Sequence, residues 1–161
     1  MSSPSVEPFV LEKFVWTDAD FVTMGWLDSF IHAIAFRDES DELLFDIDYA
    51  FKWQDPAEGE TYFKYWLSAC TLRFRGVYQL QFALRDALGV TIADVSRTPA
   101  TEQDAPAGAF HYRIQCVEGD INFASTGYEQ FARHAPVFTS EQVFTEQERG
   151  GFSFACTTPD I

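Results

Sequence analysis

The clearest pattern of apolar and polar positions runs from Glu42 to Trp53, E-L-L-F-D-I-D-Y-A-F-K-W. Leu43, Phe45, Ile47, Tyr49, Phe51 and Trp53 alternate with Leu44, Asp46, Asp48, Ala50 and Lys52. A period of two sends successive side chains to opposite faces of a pleated strand. One face is therefore apolar and aromatic, while the other carries two carboxylates and an ammonium. The stretch predicts a central strand of an antiparallel sheet with a half-solvated polar face.

Upstream, Trp26–Arg37 puts Phe30, His32, Ile34 and Phe36 on one face and Ser29, Ile31, Ala33 and Ala35 on the other. Both faces are rather apolar, which predicts a strand covered on both sides. The polar Asp38–Asp41 turn joins the two strands as a hairpin. Further strands are predicted at Tyr62–Leu67, Cys70–Gly76, Tyr78–Leu84, Val90–Val95, Ala109–Val117 and Ile121–Ser125. Thr17 and Asp18 can cap a short helix over Asp18–Met24, stopped at Gly25, with Phe21 and Met24 toward the sheet. Tyr128–His134 reads as one or two helical turns. After Gly150-Gly151, the alternation of Phe152, Phe154 and Cys156 predicts a closing strand. Thr98–Gly108, with two prolines and no periodicity, reads as the longest loop.

The sum is about eight to ten short strands with one or two short helices. That predicts a mainly β protein, an antiparallel β-sandwich or partly open barrel. Residues 1–161 read as a single β domain with a loose N-terminus over about 1–8.

Composition sharpens this picture. The chain holds 17 Phe, 6 Tyr and 4 Trp, so rings must build much of the core, and aromatic residues favour strands. The net charge is −14 and the pI near 4.4. No Lys/Arg cluster is present to displace counterions from a phosphate backbone, which argues against nucleic acid as a partner. The charge serves solubility, or offers a negative surface to a basic protein. Sheet edges rich in aromatics also suit a homodimer.

Cys70, Cys116 and Cys156 are widely spaced and odd in number, so neither a disulfide framework nor a zinc site is indicated. A reducing compartment fits them. No signal peptide is visible at the N-terminus, and no apolar run approaches the ~18 residues of a membrane span. The expectation is a cytoplasmic protein without membrane attachment.

Three groups of residues invite chemistry. Asp46 and Asp48 share a strand face with Cα atoms roughly 6.5–7 Å apart. That spacing suits a divalent cation or an acid/base pair. The simpler reading is two outward aspartates pairing across the sheet with Arg73, Arg75 or Lys64. A D-x-D also marks metal-dependent glycosyltransferases, but those need an alternating helix–strand scaffold that this chain lacks. Asp28 and His32 share a face with Phe30 between them. At ~13 Å between Cα atoms they are too far apart to touch, and the histidine reads more simply as bonded to a neighbouring strand. Trp66 stands with Tyr62, Tyr65 and Tyr78 among strands that either line a ligand pocket or form the core and its rim. There is no G-x-S-x-G elbow, Walker-type loop or G-x-G-x-x-G, and no cysteine has a histidine nearby in sequence. The candidate binding residues are thus Asp28, His32, Asp46, Asp48, Trp66 and Arg73. No catalytic residue, metal ligand set or cofactor is indicated.

The stretch from Trp16 to Ala33, W-T-D-A-D-F-V-T-M-G-W-L-D-S-F-I-H-A, followed by L-L-F-D-I-D-Y-A-F-K-W, resembles a group of small bacterial proteins of unknown function. That group carries a W-H-D type motif, an apolar strand and then D-I-D-Y-x-F-x-W. Leu27 stands where the group often has a histidine, so no role resting on that histidine carries over. The opening is also similar to that of some polymorphic-toxin immunity proteins. Neither resemblance supplies an activity. The functional expectation is a cytoplasmic, non-enzymatic binding protein with an acidic surface, of an immunity-like kind. The alternative is a small-ligand-binding protein or small enzyme with a pocket near Asp46 and Asp48.

Overall fold

The computed structural model describes residues 8–86 and 88–159. Most of the expected loose terminus, and part of the turn around Asp86–Gly89, lie outside the described residues. Among the described residues there are ten strands: β1 (Val15–Thr17), β2 (Phe30–Arg37), β3 (Glu42–Gln54), β4 (Lys64–Arg75), β5 (Tyr78–Leu84), β6 (Val90–Pro99), β7 (Phe110–Cys116), β8 (Gly119–Ser125), β9 (Gly127–Ala132) and β10 (Val137–Thr139). Every pairing is antiparallel. The order is β1-β9-β4-β3-β2-β6-β7-β8-β5, with β10 on β4, and the sheet does not close.

The sheet bends into two halves that face one another across the core. Phe74 of β4 meets Phe123 of β8 at 4.6 Å between ring centroids and Tyr112 of β7 at 5.0 Å. Leu43, Phe45, Ile47 and Tyr49 of β3 enter the same core, as the two-residue period requires. At one corner β4 runs into β5 while β8 runs into β9. Gly76 sits there at φ +58, and a Cβ on it would lie 2.6 Å from the Thr126 hydroxyl, so only glycine fits the bend. At the other corner β2 reaches β6 through Phe30 and Ile31.

Several elements differ from the sequence reading. The segments expected at Tyr62–Leu67 and Cys70–Gly76 form one strand, β4. Tyr128–His134 is not helical: Tyr128, Gln130 and Ala132 are buried on one face of β9, and Gln130 accepts a 2.8 Å hydrogen bond from the Trp26 indole. A buried glutamine with a dedicated donor hid the alternation. β2 starts at Phe30 rather than Trp26, because Asp28 takes φ +65 in a turn. A bulge between Ile31 and Ala33 then shifts the alternation, so Ile31 and Ile34 both pack on the core. The expected closing strand is absent. Residues 150–156 join no ladder, and a short helix α1 (Glu146–Arg149) precedes them. The helix expected at Asp18–Met24 is a 3-10 helix over Asp18–Thr23, closed at its start by a Thr17/Asp20 capping box.

Candidate functional site

The polar face of β3 is buried. Asp46 and Asp48 are both 0% exposed, because the segment from β10 through residue 156 runs over them. The expectation of a half-solvated strand face is thereby corrected. Their partners come from distant parts of the chain. Arg149 lays its guanidinium across both: Nη1 and Nη2 donate to the two Asp46 oxygens at 2.9 and 2.6 Å, and Nε donates to Asp48 at 3.0 Å. Arg133 donates to Asp46 at 2.7 Å and to the Thr71 hydroxyl at 2.7 Å. Backbone N–H groups of Ser153 and Phe144 donate to Asp46 and Asp48, each at 2.9 Å. His32, carried to this face at the β2 bulge, lies 2.7 Å from Asp48 through Nε2.

Local sequence explains how Arg149 arrives there. Thr145 and Glu148 form a capping box at the start of α1, and Gly150 ends it in the left-handed conformation at φ +75. The single turn between these caps points its last side chain, Arg149, into the sheet. Two carboxylates and two guanidiniums cancel in charge. Burial pushes the Asp46 carboxyl up. The hydrogen bonds from Arg149, Ser153 and Arg133 outweigh that and hold it below the ordinary carboxylate value of 3.8. Arg149 is correspondingly held more firmly protonated by Asp46 and Asp48, against the effect of its own burial. A carboxylate so bonded is no proton donor at neutral pH, and its oxygens already face four donors. The arrangement works as a clasp that fastens the 137–156 segment to β3 and β4.

The remaining sequence candidates scatter. Arg73 does not reach Asp46 or Asp48; it pairs with Glu42 and Glu129. Trp66 packs between Phe9 and Phe138, with centroids at 6.0 and 5.1 Å. Asp28 accepts a 3.3 Å hydrogen bond from Gln142 and does not join His32. Sequence reasoning missed Arg133 and Arg149. The T-x-x-E capping signature just before Arg149 was the one available signal.

A second polar face has no such cover. On the outer side of β5, β8, β7 and β6 a groove of about 610 Å³ opens over Gln79, Gln81, Ser96, Thr98, His111, Arg113 and Asn122. His111 pairs through Nε2 with Glu102 of the 100–109 loop, and Arg113 with Asp120. The Tyr78 ring stands 6.5 Å from the His111 ring. Its hydroxyl titrates above the usual tyrosine range, through desolvation and then the nearby Glu102 and Asp104 carboxylates. The Tyr78 hydroxyl and Glu102 Oε2 are buried without a hydrogen-bond partner.

Among the described residues, no group of three or more His, Cys, Asp or Glu side chains could hold a metal ion. No described helix is long and apolar enough to cross a membrane. In comparisons with family models, curated proteins and solved structures, nothing matches this chain.

Proposed function

We propose that the protein is a binding module for a basic protein partner, acting in a reducing, cytoplasmic setting. An immunity-type role, in which an acidic protein neutralises a basic one, is the specific form of this reading. The observation that carries it is how the charges are engaged. Lys13, Arg37, Lys64, Arg73, Arg75, Arg113, Arg133 and Arg149 are all paired with carboxylates of the same chain. The excess behind the net charge of −14 therefore stands unneutralised at the surface. It includes the exposed Asp38, Glu39 and Asp41 of the β2–β3 turn and Asp55 and Glu58 of the β3–β4 loop.

The β3–β4 end adds rings to this charge. Trp53, Tyr62 and Phe63 are 37%, 80% and 40% exposed beside Asp55 and Glu58. Trp and Tyr are the side chains that most often anchor protein interfaces, and ring faces also attract guanidinium and ammonium groups. Carboxylates around them speed the approach of a cationic partner. The alternative of a ligand pocket at Asp46 and Asp48 gains no support, because Arg133, Arg149 and two backbone amides occupy those oxygens.

The test is affinity capture at physiological salt followed by a measured Kd for each recovered protein. Wild type should retain a basic protein, and Trp53→Ala/Tyr62→Ala should weaken it at least tenfold while melting at the same temperature. Recovery of no basic protein, or equal affinity for the variant, would overturn the reading.

A further inference from the structure

The outer face of the β5–β8–β7–β6 half carries two aligned rows of side chains. In the first, Gln81, Asn122, Arg113 and Ser96 are neighbours across four strands. At 4.7–4.9 Å per strand the row is about 14 Å long. In the second, Tyr78 and His111 flank Ala124, with Glu102 on the histidine. We propose that this groove binds a neutral oligosaccharide, laid along the Gln81–Asn122–Arg113–Ser96 row.

Three observations point to that chemistry. First, the guanidiniums of the groove are already engaged: Arg113 pairs with Asp120, and Arg97 turns its guanidinium onto the Phe21 and Phe110 rings, while His111 bonds Glu102. An ionic ligand would have to break those pairs, whereas a neutral one leaves them intact. Second, amide groups both donate and accept, as do hydroxyls, so a row of them matches a ligand rich in hydroxyls. The row is a few sugar units long, and it lies in a concavity of about 610 Å³. Third, behind His111, which lines the groove, stands a corner that is chemically incomplete. The Tyr78 hydroxyl and Glu102 Oε2 are buried without partners, next to His111. A buried polar atom without a partner is costly. Glu102 needs a donor and the tyrosine hydroxyl can give or take. A ligand hydroxyl that donates to Glu102 and accepts from Tyr78 completes both when the 100–109 loop admits it.

This site uses none of the residues of the β3–β4 end, so it stands or falls separately from the proposed protein partner. The experiment is a titration of the nitrogen-15-labelled full chain with cellotetraose, maltotetraose, mannotetraose and chitotetraose, followed by NMR. At least one saccharide should shift the side-chain amide signals of Gln79, Gln81 and Asn122 in a saturable way. Gln81→Ala/Asn122→Ala, which alters only surface positions, should lower that affinity tenfold or more with the rest of the spectrum unchanged. Glu102→Gln should lower it while leaving the Asp46 neighbourhood unshifted. If no saccharide moves those signals at millimolar concentration, or the double variant binds as wild type does, the proposal is wrong.

Discussion

Two polar sheet faces in this molecule arise from the same kind of alternation and end in opposite states. On β3 and β4, Asp46, Asp48 and Thr71 lie under the 137–156 segment, and each oxygen has a partner from far along the chain. On β7 and β8, Arg113, His111 and Asn122 line an open groove, where Arg113 and His111 are paired only with close neighbours in sequence. The difference lies in what covers the face. A strand of alternating polarity specifies two faces, but it does not say whether the polar one meets water, a ligand or a second layer of the same chain. Where a second layer arrives, it must bring charges that answer those beneath it, and Arg133 and Arg149 do so.

The comparison breaks most sharply at Arg149. Arg149→Ala leaves two buried carboxylates without their shared partner, and such a loss costs about 3–5 kcal/mol. Urea unfolding should show that drop. A loss below 1 kcal/mol would mean the covering segment is only loosely attached.

The pH dependence sharpens the same contrast. The Asp46 carboxyl lies lower in the folded protein than its ordinary value of 3.8. Its stabilisation is therefore complete above the unfolded value and fades as pH falls through the lower folded one. Wild type should lose stability steeply on acidification below 3.8, and Asp46→Asn, already weakened, should show a shallower slope there. Parallel acid titrations would count against the clasp. The smallest effect belongs to the other face. The Glu102–His111 pair is about a third exposed on each side, and such pairs contribute about 0.2–1 kcal/mol. Glu102→Gln should stay within that range by thermal unfolding.

Much of the sheet was legible because its alternation is clean. β3 and β5 match their expected spans closely, and Tyr112, Ile114 and Cys116 of β7 face the core as their period requires. What escaped were features fixed by distant partners. No local rule marks the bulge that brings His32 beside Asp48. Phe152, Phe154 and Cys156 alternate like a strand, yet the Ser153 N–H donates to a carboxylate instead of a neighbouring strand. The pairing of Asp46 with Arg149 spans 103 positions, which no local pattern can reveal. The capping box over Thr145–Glu148 was a signal for the helix that the sequence reading did not use, and it carries no trace of the target of the last side chain.

That separation has a consequence for synthesis. At about 5–20 residues per second on a ribosome, Arg149 follows Asp46 by roughly 5–20 s. During that interval β2, β3 and β4 can pair, but their outer face still shows water two carboxylates and a row of apolar neighbours. A chain interrupted before Arg149 lacks the guanidinium that answers those carboxylates. The group that holds the finished molecule closed is thus among the last of the sheet's cover to be made.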